Sequence, residues 1–134
     1  NTSTQSDKLT AIWLSPDEWM IYSNEPVDES TNYYETEKLL NNNISKFNLG
    51  AITDVTDQLV MINLKGNKIY DLLTKSCPFD FNEFKKKKGS VSQTIVNHID
   101  VIIHNNENND LNLFVRRSFS EDLWLWINDS ASFL

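Results

Sequence analysis

Cysteine is nearly absent from this chain of 134 residues, since Cys77 is the only one and no disulfide can form within the chain. A lone cysteine is typical of proteins from a reducing compartment. Glycine and proline number three each, and no apolar run approaches the roughly 20 residues that a helix needs to cross a bilayer. The polar start of the chain has no signal-peptide pattern. These absences favour a soluble, cytoplasmic protein with no membrane partner.

Positive charge is also scarce, because 12 Lys and Arg residues face 19 Asp and Glu residues and give a net charge of −7. A protein that binds a nucleic-acid backbone needs a basic face, so this charge argues against a nucleic-acid partner. The one basic cluster runs from Lys85 to Lys88 and ends at Gly89. We interpret it as a solvated loop, with contact to an acidic partner surface as the alternative.

The residues that are present describe a globular protein, with 40% hydrophobic and 11% aromatic side chains. A chain of this length buries roughly two thirds of its unfolded surface on folding, so it can build a core without metals or disulfides. We predict a single domain over residues 9–134. Residues 1–8 are polar and without periodicity, and we predict a flexible lead-in there.

The apolar pattern predicts an α+β fold in which helices lie beside an antiparallel sheet. Two short strands are predicted within 11–22, a helix over 31–47, strands over 51–55 and 59–64, a second helix, a phenylalanine-anchored connector over 79–84, a loosely alternating stretch over 90–96, a hairpin over 99–115 and a terminal helix. The first half has ferredoxin-like βαββ order. The expected helix caps are Ser30 or Thr31, Asn67, and a capping box formed by Ser118 and Glu121.

Residues that could carry chemistry do not converge in this sequence. His98 and His104 lie six positions apart around a predicted strand, which separates them by about 20 Å and is too far for a shared metal. Cys77 is expected at a helix C-terminus, where the helix dipole opposes a thiolate. No phosphate-binding glycine loop or nucleophile motif occurs. We therefore expect structural or exposed histidines and no catalytic, cofactor or metal site.

Contact with another protein is the better-supported prediction. Consecutive Arg116 and Arg117 end a predicted strand, where a guanidinium suits interface ion pairs, although a solvated strand end explains them equally well. The four tryptophans are expected mostly in the core. Trp124 and Trp126, however, are about 200° apart around a helix, so one should lie at a boundary or under a partner. The candidate interface residues are Trp19, Arg116, Arg117, Phe119, Trp124 and Trp126.

Several short segments of the chain carry a family resemblance. They read WLSPDEWM at 13–20, DVTD at 54–57, KSCPFD at 75–80, SQT at 92–94, FVRRSF at 114–119 and LWLWI at 123–127. In this order they resemble the W-L-G-P-D-E-W-L, D-V-S-D, K-G-C-P-L-D, A-Q-T, V-x-R-S-F and L-W-x-W-L elements of the gamma subunit of heterotetrameric sarcosine oxidase. Ser15 and Ser76 replace a glycine of that pattern.

This resemblance implies a fold similar to the folate-binding domain of aminomethyltransferases. It also implies a complex of alpha, beta, gamma and delta subunits that oxidises sarcosine to glycine with hydrogen peroxide, and yields formaldehyde or 5,10-methylenetetrahydrofolate. FAD, FMN, NAD and tetrahydrofolate then belong to the holoenzyme, and the gamma subunit packs chiefly against alpha without catalytic residues. The alternative is a free-standing folate or one-carbon binding protein, for which Asp54 and Arg116 could recognise the pterin and the glutamate tail.

Overall fold

The computed structural model describes residues 2–24 and 33–134. Within these ranges the chain forms seven strands and three α-helices, which confirms the α+β prediction. In chain order the elements are β1 Ser3–Gln5, β2 Leu9–Ser15, β3 Glu18–Ser23, α1 Tyr33–Asn43, β4 Leu59–Lys65, α2 Ile69–Thr74, β5 Val91–Val96, β6 Ile99–Glu107, β7 Asp110–Arg116 and α3 Arg117–Ala131. Short 3-10 turns lie at Ser45–Phe47 and Phe84–Lys86.

The strands are divided between two antiparallel sheets. One sheet has three strands in the order β1-β2-β3, and the other has four in the order β4-β7-β6-β5. The strands β6 and β7 form the predicted hairpin, with Ile103 opposite Leu113. Strand β4 then pairs antiparallel with β7 over its full length, from Leu59 opposite Arg116 to Lys65 opposite Asp110. Strands β4 and β5 are therefore the two edges of the larger sheet.

The larger sheet is covered on both faces, so the molecule has three layers. Helices α2 and α3 pack on one face, where Leu73, Ile103, Leu113 and Leu123 are fully buried. The alternate residues of the same strands point to the other face, since side chains alternate along a strand. There the three-stranded sheet packs on it through a smaller cluster of Ile12, Met20, Val91 and Phe114.

One predicted strand is absent, and one strand was not predicted. Residues 51–55, predicted as a strand, have no regular structure. Asp54 instead accepts a hydrogen bond of 2.9 Å from the Thr56 backbone N–H, which makes a turn before β4. Conversely, β1 forms inside the predicted lead-in at residues 1–8, because the polar segment Ser3–Gln5 pairs with Thr10–Ile12.

The predicted helix caps also need correction. Helix α2 begins after Lys68, and no side-chain hydrogen bond caps it, so Asn67 is not the cap. Helix α3 begins at Arg117 directly after β7, with Arg116 in the cap position. Ser118 therefore lies inside the first turn and forms no capping box with Glu121. Ser30 and Thr31 lie outside the described residues.

Candidate functional site

Helix α3 is the element on which most of the candidate interface residues lie. It follows β7 without a loop, and its side chains Leu123 and Ile127, one turn apart, are buried against the sheet. The residues of α3 on either side of Leu123 and Ile127 lie at the two margins of this buried contact. Trp124 lies on one flank and Trp126 on the other, since they are about 200° apart. Trp126 packs against the main core, whereas Trp124 is 51% exposed.

The flank that carries Trp124 forms a groove with strand β4, which we call the β4–α3 groove. Its volume is about 550 Å³. Its lining is mostly apolar and consists of Val60, Met61, Ile62, Asn63, Ser120, Glu121 and Trp124. Met61, which also borders the groove, is 49% exposed, so Met61 and Trp124 are two large half-exposed side chains beside the free edge of the sheet. An open apolar groove of this kind is typical of a surface covered by another protein.

The opposite flank of α3 closes a smaller and more polar cleft of about 160 Å³, the His98 cleft. It is lined by His98, Ile99, Asp100, Arg116 and Phe119. His98 and its neighbour Asn97 both have positive φ, 64° and 49°, as a tight turn between β5 and β6 requires. Phe119 is 46% exposed at the rim. The cleft therefore offers one guanidinium, one carboxylate and one imidazole beside an exposed ring.

The two arginines are separated by the turn from strand to helix. Arg116 lines the His98 cleft, whereas Arg117 holds the segment before β4. The Nε of Arg117 donates to the backbone carbonyl of Asp57 at 2.8 Å, and its Nη2 lies 3.8 Å from the Asp57 carboxylate. Both side chains are exposed, so this ion pair contributes little to stability. Its effect is to fix the start of β4 beside the start of α3.

The structure brings five of the six candidate interface residues together on or beside α3: Arg116, Arg117, Phe119, Trp124 and Trp126. Trp19 lies elsewhere, in β3 of the three-stranded sheet, opposite Trp13 and 52% exposed. None of the four tryptophans is buried, so the expectation of a tryptophan-rich core was wrong. Sequence reasoning missed Met61, because an apolar residue in an apolar strand gives no sign that it lies beyond the cover of the other sheet.

The two histidines occupy contrasting places. His98 is exposed, whereas His104 is buried between the two sheets. Ser3 Oγ donates to the Gly89 carbonyl at 2.9 Å, so it must accept from Nε2 of His104, also at 2.9 Å. Nδ1 of His104 then accepts from the Tyr22 hydroxyl at 3.0 Å. This neutral histidine connects β1, β3 and β6, which is a structural role.

Burial lowers the pKa of His104 below its ordinary value of 6.5, and a hydrogen bond with Asn106 offsets this only in part. The pKa of Asp54 is also lowered, chiefly by its hydrogen bond from the Thr56 backbone, although this carboxylate is exposed. Asp54 is thus engaged in its own turn, and Arg116 lies in the His98 cleft. The two residues, which were considered as a folate-binding pair, form no hydrogen bond or ion pair with each other.

Within residues 2–24 and 33–134, no three His, Cys, Asp or Glu side chains converge in a way that could hold a metal ion. The same part of the chain contains no helix with the length and apolar character required to span a membrane. The two flanks of α3, with the β4–α3 groove and the His98 cleft, are therefore the most distinctive part of the described surface.

Comparison with known proteins agrees with the motif order. The model of a family described as "Sarcosine oxidase, gamma subunit family" matches residues 2–133. No curated protein matches the chain. Among solved structures, the chain is similar to a chain of heterotetrameric sarcosine oxidase from Corynebacterium sp. U-96 in complex with pyrrole 2-carboxylate, with a TM-score of 0.77 and 22% identity. The match covers 96% of this chain but only 62% of that one, and at this identity it shows a shared fold.

Proposed function

The chain belongs to the sarcosine oxidase gamma subunit family, and we propose that it serves as the non-catalytic gamma subunit of a heterotetrameric sarcosine oxidase. Its role is to complete the complex by docking on a larger subunit, chiefly alpha. The chemistry is then carried by the other subunits. In this proposal, a cytoplasmic complex oxidises sarcosine to glycine with hydrogen peroxide, and the one-carbon unit leaves as formaldehyde or as 5,10-methylenetetrahydrofolate.

The observation that carries this proposal is the extent of the family match. Residues 2–133 include every strand of both sheets and all three described helices. The similarity therefore concerns the whole arrangement of layers and not one shared motif. A match confined to a single hairpin would have supported the fold class alone.

The surface of α3 supports a docking role independently of the family match. Phe119, Trp124 and Leu125 are each about half exposed, at 46%, 51% and 59%. Aromatic side chains are enriched at the centres of protein interfaces, where their large area is removed from water. Two aromatic residues and a leucine, all about half exposed within two turns of one helix, are unfavourable to leave in contact with water in a free monomer.

The proposal is tested by producing the chain together with the alpha, beta and delta subunits of the same organism. We expect a flavin-containing complex that retains this chain and forms hydrogen peroxide from sarcosine. The isolated chain, assayed under the same conditions, should form none. Turnover of sarcosine by the isolated chain would contradict the non-catalytic role, and a complex that forms without the chain would contradict the docking role.

The alternative, a free-standing folate or one-carbon binding protein, is examined in the same preparation. The isolated chain is titrated with tetrahydrofolate and followed by tryptophan fluorescence, because two of its tryptophans are half exposed. We expect no saturable change at micromolar ligand, since Asp54 is engaged in a turn and Arg116 lies in a different cleft. Saturable binding by the isolated chain would favour the alternative.

A further inference from the structure

We propose that the free edge of β4 is the place where a partner subunit docks, by adding an extended segment as a fifth strand under Trp124. This inference rests on the proposed function, because it names the surface through which the subunit assembles. The segment has apolar side chains at alternate positions and a basic side chain opposite Glu121. The backbone hydrogen bonding of β4, the shape of the β4–α3 groove and its charge lead to this assignment.

The backbone of β4 shows which residues face the open side. Just before the strand, the N–H of Arg117 donates to the carbonyl of Gln58 at 2.9 Å. Just after it, the N–H of Gly66 donates to the carbonyl of Asn109 at 3.0 Å. In an antiparallel ladder, residues alternate between bonding to the neighbouring strand and pointing away from it. The residues that direct their N–H and C=O groups away from β7 are therefore Leu59, Met61, Asn63 and Lys65.

No described strand other than β7 pairs with β4, so these outward groups form an unpaired row. An unpaired edge of seven residues is a template for another extended chain, and proteins that keep such an edge free usually block it with charged side chains, proline or a bulge. Strand β4 has no proline or bulge, its one charged residue is Lys65 at its end, and its register with β7 is uninterrupted from Leu59 to Lys65. The unpaired backbone groups of β4 therefore suit an extended partner segment and not a helix, whose backbone groups are already paired.

The groove above this edge supplies contacts for the side chains of that segment. Trp124 extends from α3 over the edge, and Val60 and Ile62 form the floor on the same face. The groove volume of about 550 Å³ is sufficient for several side chains. Met61, on the opposite face of the strand, is half exposed and can contact the alternate side chains of an added strand. Both faces of the added strand would therefore meet apolar surface.

The charge of the groove specifies one side chain of the partner. Two cations at the ends of β4 and α3 pair with other carboxylates, because Lys65 pairs with Asp110 at 3.1 Å and Arg117 pairs with Asp57 at 3.8 Å. Glu121 lines the groove and forms no ion pair with any described residue. A chain of net charge −7 also favours a basic partner surface. The assigned segment therefore places a lysine or arginine at Glu121.

Two pairs of variants test this assignment in the complex made with the alpha, beta and delta subunits. Met61→Pro removes an outward N–H but no bond to β7, and Ile95→Pro makes the same change on the opposite edge strand, β5. Glu121→Lys reverses the groove charge, and Asp122→Lys reverses an exposed charge on the far side of α3. We expect Met61→Pro, which loses one interface hydrogen bond, and Glu121→Lys, which turns an attractive charge pair into a repulsive one, each to reduce the amount of chain retained about tenfold. The controls Ile95→Pro and Asp122→Lys should be retained in the complex to the same extent as the wild-type chain.

A second measurement does not depend on how the variants fold. Hydrogen exchange of the wild-type chain, free and in the complex, reports on the amides of Leu59, Met61, Asn63 and Lys65. We expect these amides to exchange quickly in the free chain and slowly in the complex. Unchanged exchange would overturn the assignment of the edge.

The outcomes separate the two proposals. If the wild-type chain is retained and all four variants are retained equally, the β4 edge is not the docking surface, although the proposed function stands. If the wild-type chain is not retained, the proposed function itself fails. Dimerisation of the isolated wild-type chain that Met61→Pro abolishes would assign the edge to a second copy of the chain, and would also overturn the inference.

Discussion

At the scale of single residues, His104 joins the two sheets through hydrogen bonds that suit only a neutral imidazole. Its Nδ1 accepts from Tyr22, and Asn112 Nδ2 donates to the same hydroxyl oxygen at 3.3 Å. Protonation would add a hydrogen at Nδ1, where the imidazole now needs a lone pair. Burial accordingly keeps the pKa of His104 below 6.5. The sequence indicated a structural histidine, but its partners Ser3 and Tyr22 come from strands distant along the chain.

The stability of the chain should therefore depend on pH through His104. Its pKa is lowered in the folded state, so below pH 6.5 the unfolded chain binds more protons than the folded chain. The stabilisation is complete above pH 6.5 and is lost as the pH falls through the lower, folded value. We expect the free energy of unfolding to fall between pH 7 and about pH 5, measured by denaturant titration.

His104→Gln isolates this contribution, because glutamine hydrogen-bonds but does not titrate. At pH 7 the variant should lose about 1–3 kcal/mol of unfolding free energy, since one buried partner is left poorly satisfied. Its dependence on pH in the same range should be flatter than that of the wild type. His98→Gln, at an exposed site, is the matched control. An equal slope in all three proteins would show that His104 is not the titrating group.

At the scale of elements, the alternation of apolar and polar residues predicted strands correctly where the paired strands are adjacent in sequence. The hairpin at 99–115 was predicted correctly, since its strands are adjacent in sequence and a short turn at Asn108 and Asn109 sets their register. The strand β1 was missed because its polar residues carry no alternation. It forms only because its backbone pairs with β2 and Ser3 reaches His104. Such tertiary contacts leave no signal in a local window of sequence.

Helix α3 provides a direct test of which side chains hold the layers together. Leu123 is fully buried against the sheet, whereas Leu125 is 59% exposed two residues later. Leu123→Ala should destabilise the isolated chain by about 2–5 kcal/mol, because it removes buried methyl groups and leaves a cavity. Leu125→Ala should change the free energy of unfolding by less than about 0.5 kcal/mol. Equal losses on thermal or chemical unfolding would contradict the orientation of α3.

At the scale of the whole molecule, the sequence predicted the fold class and the family but not the proposed docking edge at β4. Which edge of the larger sheet is open depends on the strand order β4-β7-β6-β5, and that order is set by pairing between distant segments. The β4–α3 groove combines residues of β4 with Trp124 of α3, which lie far apart in the sequence. Trp124 could be suspected from its spacing to Trp126, but nothing in the sequence of β4 indicates that this strand forms the other side of the groove.

The three layers are also consistent with the proposed docking role. The helices on one face and the small sheet on the other give a rigid support for the exposed flanks of α3. A rigid surface loses little conformational entropy when a partner binds, so more of the buried area contributes to affinity. The proposed role therefore requires a well-packed interior and an incompletely covered surface, and the described residues provide both.

The most direct test of the docking role is the mass of the native assembly when this chain is produced with the alpha, beta and delta subunits. Native mass spectrometry of the purified flavoprotein should give a complex that contains one copy of each of the four chains. A flavoprotein of the other three subunits at full sarcosine oxidase activity, with this chain recovered separately as a monomer, would contradict it.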